Sequence, residues 1–315
     1  MKLPDHVGIV EVGPRDGLQN EPVCLSPRER AQLIDLLSAA GLRRIEAGSF
    51  VSVKAVPQMA GTAEVIALAR QSPDLRLSVL TPNLHGLKSA FSSGVAEVAV
   101  VVAASETFSR RNLNCSMQQS LERANAVALE AQTHGFSVRG YISCVLGSPY
   151  EGGVEISLVA ELAKILTQFG CYEISLGDTI GVGTPSQARR LVEHVATVVP
   201  LSQIAGHFHD TYGQALANIF ACLEVGLNVF DSSIGGLGGC PFAPGATGNV
   251  ATEDLIYMLE GCDIETGVDL DRLCIASGFV CARLGHMPAS HVMLSRLAGT
   301  APKNRAPQID KERAP

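Results

Sequence analysis

In Gln203-Ile204-Ala205-Gly206-His207-Phe208-His209-Asp210, a short apolar run leads into two histidines that are separated by one residue. The apolar run predicts a buried strand, and alternate side chains of a strand point to the same face. We therefore expect His207 and His209 to converge, as two imidazole ligands of a metal ion do. A hydrogen-bonded pair of core histidines fits this spacing equally well. Oxygen ligands that arrive from other strands would favour the metal.

The same kind of apolar, β-rich run recurs along the chain, and stretches with helical periodicity separate the runs. One such stretch begins at Ser26, a suitable N-cap, with Pro27 at the first helical position. We predict eight strands, at residues 8–12, 43–47, 75–80, 97–103, 138–144, 172–176, 204–209 and 229–233. Further helices are predicted at 116–132, 157–168, 185–198, 212–223 and 252–259.

Eight strand–helix units in unbroken succession predict an α/β fold of the (β/α)8, or TIM-barrel, type that occupies residues 1–268. An open doubly wound sheet is the alternative, since repeated units alone do not prove closure. Two further helices, at 271–284 and 291–297, are expected to pack on the barrel within a C-terminal segment, 269–297. The polar tail, 298–315, is expected to be disordered.

The composition is that of an ordinary globular protein, with 315 residues, 46% of them hydrophobic, and a formal net charge of -7. This acidic balance offers no basic surface for nucleic acid, and no apolar run approaches the roughly 18 residues of a membrane span. Nine cysteines without a CxxC pair indicate free thiols in a reducing compartment. Since the start resembles neither a signal peptide nor a presequence, we expect a cytoplasmic protein.

Polar side chains cluster where several predicted strands end, which is where barrels of this type carry their catalytic groups. Asp16 follows strand one and Asn249 follows strand eight, so both are candidates to join the histidine pair. Two imidazoles with two oxygens and no thiolate suit Mg²⁺ or Mn²⁺, although catalytic zinc is also compatible with this set. Taken singly, Asp16 belongs to a turn sequence and Asp178 to an ordinary helix cap.

The glycine-rich segment 235–239 lacks both the lysine of a phosphate-binding loop and the GxGxxG spacing of a dinucleotide site. Gly181-Val182-Gly183 is an equally poor dinucleotide motif. We therefore expect neither a nucleotide nor a flavin cofactor.

One longer motif, Val12-Gly13-Pro14-Arg15-Asp16-Gly17-Leu18-Gln19-Asn20, closely resembles the opening motif of the 3-hydroxy-3-methylglutaryl-CoA lyases. The resemblance runs from about residue 7 to residue 267, and its motifs are long and ordered. It continues through Phe50-Val51-Ser52, Thr81-Pro82-Asn83, Ala103-Ala104-Ser105-Glu106, Ser148-Pro149-Tyr150-Glu151-Gly152, Gly177-Asp178-Thr179-Ile180-Gly181, His207-Phe208-His209-Asp210-Thr211-Tyr212-Gly213 and Gly236-Leu237-Gly238-Gly239-Cys240-Pro241. These lyases belong to the metal-dependent TIM-barrel lyases and carboxylate synthases.

The resemblance implies a carbon–carbon lyase that cleaves 3-hydroxy-3-methylglutaryl-CoA to acetyl-CoA and acetoacetate, as in leucine and ketone-body catabolism. The implied partners are a divalent cation, an acyl-CoA thioester and, at the level of the family, a second copy of the chain as a homodimer. Since the chain resembles neither members with a mitochondrial leader nor those with a peroxisomal tripeptide, we expect a bacterial cytoplasmic enzyme. The metal-ligand positions of the family fall on Asp16, His207, His209 and Asn249. Its catalytic positions fall on Arg15, Asp16, His207 and Cys240, and its supporting ones on Gln19, Glu46, Asp178 and Glu253.

In the implied retro-Claisen cleavage, the C3 hydroxyl loses a proton while the C2–C3 bond breaks. A cation at that hydroxyl lowers its pKa, and either Asp16 or His207 accepts the proton; the sequence leaves both open. Arg15 is expected to stabilise the enolate, and a salt bridge across the rim is the alternative. Cys240 is expected to protonate the carbanion, and a small buried cysteine is the alternative. Glu46 is expected to orient Arg15 or to accept from a metal-bound water, and a rim salt bridge is the alternative.

Other functions fit parts of the sequence. Lyases for related branched 3-hydroxyglutaryl-CoA esters of isoprenoid catabolism are the nearest alternative, because the residues do not disclose acyl-chain preference. Citramalate and isopropylmalate synthases usually contain His-x-His-Asn-Asp and large regulatory extensions, whereas this chain contains His207-Phe208-His209-Asp210-Thr211 and continues for only two helices. A scaffold protein that has lost catalysis is disfavoured, since Arg15 and every implied metal ligand are present.

Overall fold

The computed structural model describes residues 3–70, 72–239 and 248–300. Its strands are β1 (Gly8–Glu11), β2 (Arg44–Ser49), β3 (Arg76–Leu80), β4 (Glu97–Ala103), β5 (Ser137–Ser143), β6 (Glu173–Asp178), β7 (Ile204–Phe208) and β8 (Val229–Ser232). Each strand pairs in parallel with the next, and β1 closes the barrel by pairing with β8. The predicted (β/α)8 barrel is therefore confirmed, and the open doubly wound sheet is excluded.

Helices connect the strands, and two more follow the barrel. They are α1 (Pro27–Ala39), α2 (Thr62–Leu68), α3 (Leu84–Phe91), α4 (Glu106–Phe108), α5 (Met117–Thr133), α6 (Ile156–Gln168), α7 (Pro185–Val195), α8 (Ala215–Leu223), α9 (Thr252–Gly261), α10 (Leu270–Leu284) and α11 (His291–Thr300). Ser26 and Glu29 form a capping box at the start of α1, as its sequence suggests. The predicted helices did not include α2 and α3, whose seven and eight residues offer little periodicity. No described helix has both the length and the apolar character needed to cross a lipid bilayer.

Apolar side chains from the strands and the inner faces of the helices form one main buried core. Ile174 and Leu176 of β6, for example, are at most 1% exposed. The barrel interior, in contrast, contains charged groups. Arg139 of β5 donates to Asp231 of β8 at 2.8 Å, and these strands are not neighbours in the sheet, so both side chains cross the interior. This polar layer contacts residues at the carboxyl ends of the strands.

The helices that follow the barrel pack on it, α10 against α1 and α11 against α9. Asp254 of α9 accepts hydrogen bonds from the backbone N–H groups of His291 and Val292, both at 2.9 Å, and so fastens the start of α11. α11 extends to Thr300, beyond the predicted helix end at residue 297, because Ala298 continues the helix well. Residues 301–315 lie outside the described residues, so the disorder of the tail stays a prediction.

Candidate metal centre

Three ligating side chains converge at the carboxyl ends of β1 and β7. Asp16 lies in a π-helical turn, Gly13–Gly17, that follows β1. His207 lies in β7, and His209 directly follows the end of that strand at Phe208. The ligand atoms of Asp16, His207 and His209 all lie within 4.8 Å of one another. Both histidines are buried, and the Nε2 atom of His207 is 3.9 Å from an Asp16 oxygen. The expected convergence of the two histidines on an oxygen ligand is present.

Asn249 completes this group, and we call Asp16, His207, His209 and Asn249 the ligand cluster. The side-chain amide of Asn249 donates to Asp16 Oδ2 at 2.8 Å and to the Leu237 carbonyl at 3.3 Å. Its Oδ1 atom is buried and has no hydrogen-bond partner among the described residues. A buried carbonyl oxygen left unsatisfied is costly, and a divalent cation satisfies it. Two imidazoles, a carboxylate and an orphaned amide oxygen therefore fit a metal ion.

Asp16 is ionised in this environment, as a ligand must be. Burial opposes the negative charge, but the Arg15 guanidinium and the two neighbouring histidines outweigh burial and lower the pKa of Asp16 to about 2. The Arg15 Nη1 atom donates to Asp16 Oδ1 at 2.5 Å. Asn249 binds the other oxygen, Oδ2, so both carboxylate oxygens are held in place.

Arg15 is a buried cation beside the ligand cluster, with only 6% of its surface exposed. Burial opposes its charge, yet Glu46 and Asp16 hold the pKa of Arg15 well above its ordinary value. Its Nε atom donates to Glu46 Oε2 at 2.6 Å, and its guanidinium lies 5.5 Å from the centre of the Tyr141 ring. Glu46 therefore forms a salt bridge with Arg15 and fixes the orientation of its guanidinium, while acceptance from a metal-bound water stays a prediction.

Two of the remaining predicted site residues, Asp178 and Glu253, hold loops through hydrogen bonds to the backbone. Asp178 accepts hydrogen bonds from the backbone N–H groups of Val182 and Gly183, and burial raises the pKa of Asp178 to about 6. Both oxygens of Glu253 accept from the Gly235 N–H, at 3.0 and 2.9 Å. Gln19 lines the cavity described next. Cys240 lies outside the described residues.

A cavity of about 480 Å³ opens beside the ligand cluster. Arg15, Asp16 and the two histidines line one side of it, and residues 112–115, after β4, line another. Its apolar lining comes from Val51, Leu80, Val101, Phe108 and Leu113, among others. The cavity thus joins a charged metal-binding end to apolar walls.

Sequence reasoning missed several buried residues behind the ligand cluster. Asp231 contacts His207, and Arg139 contacts both Asp231 and the Tyr141 hydroxyl. Glu11 accepts from the backbone N–H groups of residues 13 and 234 and thereby fixes the turn that carries Asp16. A signal was available, because charged residues inside predicted buried strands are costly unless they are paired. Their partners lie on distant strands, which the sequence does not identify.

The chain matches the family model described as HMGL-like over residues 6–280. It is 58% identical to the 3-hydroxy-3-isohexenylglutaryl-CoA/hydroxy-methylglutaryl-CoA lyase of Pseudomonas aeruginosa over 298 residues, which cover 95% of this chain and 99% of that protein. The crystal structure of hydroxymethylglutaryl-CoA lyase from P. aeruginosa superposes with a TM-score of 0.93 at 58% identity and covers 95% of this chain and 100% of that one. An Acinetobacter baumannii lyase structure, in complex with coenzyme A and 3-methylmalate, superposes with a TM-score of 0.89 at 37% identity and covers 97% of this chain and 98% of that one.

Proposed function

The chain belongs to the HMGL-like family, and from this membership we propose that it cleaves 3-hydroxy-3-methylglutaryl-CoA to acetyl-CoA and acetoacetate. The observation that carries the proposal is the ligand cluster with its orphaned Asn249 oxygen, set beside the buried cation Arg15 on one wall of the cavity. A scaffold that had lost catalysis would have no use for this arrangement. The reaction type is carbon–carbon bond cleavage, with the substrate as a coenzyme A thioester.

The reaction requires a proton to leave the C3 hydroxyl as the C2–C3 bond breaks. A divalent cation, when held by the ligand cluster, supplies positive charge that acidifies this hydroxyl and anchors the substrate. Asp16 and His207 are the groups of the ligand cluster proposed to take the proton, and His207 can do so only at a ring nitrogen that is neither protonated nor bound to the cation. The C3 oxygen becomes the ketone of acetoacetate, and the bonding electron pair passes to the acetyl-CoA enolate.

Arg15 stabilises the enolate oxygen of the thioester. Its guanidinium keeps its charge because Glu46 and Asp16 flank it, and two of its five N–H groups are used in these contacts. No hydrogen bond to another described residue uses the other three, and Arg15 lines the cavity wall. A fixed cation aimed at developing negative charge lowers the barrier without reorganising in the reaction.

Cys240 returns a proton to the enolate carbon and completes acetyl-CoA. This role rests on the resemblance of the surrounding glycine-rich motif, since Cys240 lies outside the described residues. A thiol is a suitable donor here, because its ordinary pKa of about 8.5 lies close to neutrality.

A longer branched substrate is a second candidate. The P. aeruginosa relative is named for both the isohexenyl and the methyl substrate. The cavity of about 480 Å³ has apolar side chains in its wall, including Leu80 and Phe108, as an isoprenoid branch would require. Activity on both thioesters follows if this wall receives the branch.

We infer Mg²⁺ or Mn²⁺ as the metal, since the ligand cluster contains no thiolate. The bacterial relative and the free thiols of the described cysteines suit a bacterial cytoplasm. Leucine degradation is the pathway in which this substrate is consumed, and the homodimer is carried over from the resemblance alone.

A single assay tests the proposed function. Purified protein with Mg²⁺ is expected to release acetoacetate from 3-hydroxy-3-methylglutaryl-CoA, and chelation of the metal with EDTA is expected to stop the release. The same assay with the isohexenyl thioester separates the two candidates. Protein that binds Mn²⁺ and cleaves neither thioester would overturn the proposal.

A further inference from the structure

Asp231 of β8 is a buried carboxylate that lies behind the ligand cluster and contacts His207. It is 1% exposed, and its Oδ2 atom lies 3.1 Å from His207 Nδ1. The two residues are direct partners in the register of β7 and β8, so their side chains point to the same face of the sheet. Asp231 thus meets the ring nitrogen of His207 that is turned away from Asp16.

Asp231 also accepts three hydrogen bonds from other side chains. Arg139 donates to it through both terminal nitrogens, with Nη2 at 2.8 Å from Oδ1 and Nη1 at 3.2 Å from Oδ2. The Ser175 hydroxyl donates to Oδ2 at 2.7 Å. A carboxylate clamped by a guanidinium in this way stays ionised and has no proton to give. The hydrogen bond to His207 therefore takes its proton from Nδ1.

This assignment leaves Nε2 of a neutral His207 without a proton. Nε2 is the nitrogen that lies 3.9 Å from Asp16 Oδ2 and belongs to the ligand cluster. The opposite tautomer would set a nitrogen lone pair against the Asp231 carboxylate and an N–H bond where a metal ligand needs a lone pair.

We propose that Asp231 is a positioning residue that holds His207 in the Nδ1–H tautomer, with Arg139 and Ser175 fixing the carboxylate in place. His207 thereby presents its bare Nε2 to the ligand cluster before any metal arrives. Arg139 also donates to the Tyr141 hydroxyl at 2.8 Å, and that hydroxyl donates to Glu46 at 3.3 Å. One buried guanidinium therefore supports both the histidine ligand and, through Glu46, Arg15.

The tautomer can be measured directly in the metal-free full-length protein. Nitrogen-15 NMR of the histidine rings, recorded at about pH 8.5 where an ordinary imidazole is neutral, distinguishes a protonated from a bare ring nitrogen. The expected result for His207 is a protonated Nδ1 and a bare Nε2. A proton on Nε2 would overturn the proposal without any variant being made.

Asp231→Asn provides the second measurement, because an amide of the same shape can donate as well as accept. The expected result is mixed tautomers of His207 and an affinity for Mn²⁺ that falls about 10- to 100-fold, as when a partner behind a metal ligand is removed. Glu173→Gln is the matched control. Glu173 is a buried carboxylate that accepts a hydrogen bond from the same arginine, with Arg139 Nε at 2.6 Å from Glu173 Oε1. It has no hydrogen bond to His207.

Glu173→Gln is expected to lower stability while it leaves the His207 tautomer and the Mn²⁺ affinity close to those of the parent protein. Equal losses of Mn²⁺ affinity in both variants would show that the charged layer acts only by keeping the barrel folded. Retained affinity in Asp231→Asn would also overturn the proposal. Any effect on turnover rests on the proposed function. Neither the tautomer measurement nor the Mn²⁺ titration uses a thioester, so this proposal and the proposed function can fail separately.

Discussion

Replacing Arg15 with glutamine (Arg15→Gln) removes the cation that is proposed to serve the reaction. The same cation pairs with two carboxylates, Glu46 and Asp16. If Arg15 stabilises the enolate, turnover falls roughly 10²- to 10³-fold, as for the loss of one oxyanion donor. The change removes the Arg15 hydrogen bond to Asp16 Oδ1, but all four side chains of the ligand cluster remain, and Asn249 still holds Asp16 Oδ2 at 2.8 Å. Binding of Mn²⁺ is therefore expected to persist.

The same variant is expected to lose stability, because it leaves Glu46 buried without its partner. Glu46 is 0% exposed, and burial already raises its pKa even with Arg15 beside it. Breaking a buried pair in this way costs about 3–5 kcal/mol. The loss of stability is expected to be largest at alkaline pH, where Glu46 cannot become neutral by taking up a proton.

The double variant Arg15→Gln/Glu46→Gln separates the two effects. It removes the unpaired charge, so the free energy of unfolding in urea is expected to return towards that of the parent protein. Turnover, measured as acetoacetate release at saturating substrate and Mg²⁺, is expected to stay as low as in the single variant. Recovery of turnover in the double variant would refute the role in catalysis. Failure of Arg15→Gln to bind Mn²⁺ would show instead that Arg15 holds the ligands together.

Three further outcomes are expected. Asn249→Ala removes the orphaned oxygen and weakens Mn²⁺ binding at least about tenfold by titration, and unchanged binding would take Asn249 out of the ligand set. Cys240→Ser lowers turnover by about 10² while Mn²⁺ affinity is retained, so unchanged turnover would remove the thiol from the mechanism. Burial raises the pKa of Glu253 from 4.5 to about 7, so the folded state binds the extra proton and stability falls as pH rises between these values. Glu253→Gln is expected to flatten that part of the curve by up to about 3 kcal/mol, and an unchanged pH profile in urea unfolding would contradict this.

The sequence predicts the barrel well, because buried parallel strands leave a local signature. The predicted strand at 97–103 coincides with β4, and the other strand bounds shift by up to two residues. Pairing partners carry no comparable signal. That β1 closes on β8, rather than remaining an edge, follows from the packing of the whole chain.

The candidate site was predictable only where its residues form local motifs. Asp16 and the histidine pair stand in such motifs, and the structure brings them together. Asp231 belongs to no local motif, and its role depends on His207 from the neighbouring strand and on Arg139 from across the barrel. Long-range ion pairs inside a barrel are set by its three-dimensional register, which spacing along one strand does not contain.

The hydrogen bond between Asn249 and Asp16 joins residues 233 positions apart in sequence. During synthesis on a ribosome, Asp16 is made early, and nearly the whole barrel is synthesised before its partner Asn249. A metal held by both Asp16 and Asn249 would therefore bind only a chain whose barrel has closed. Such binding would shift the folding equilibrium towards the closed barrel by mass action. A cation bound to both residues would therefore mark a completed barrel, and incomplete chains would lack it.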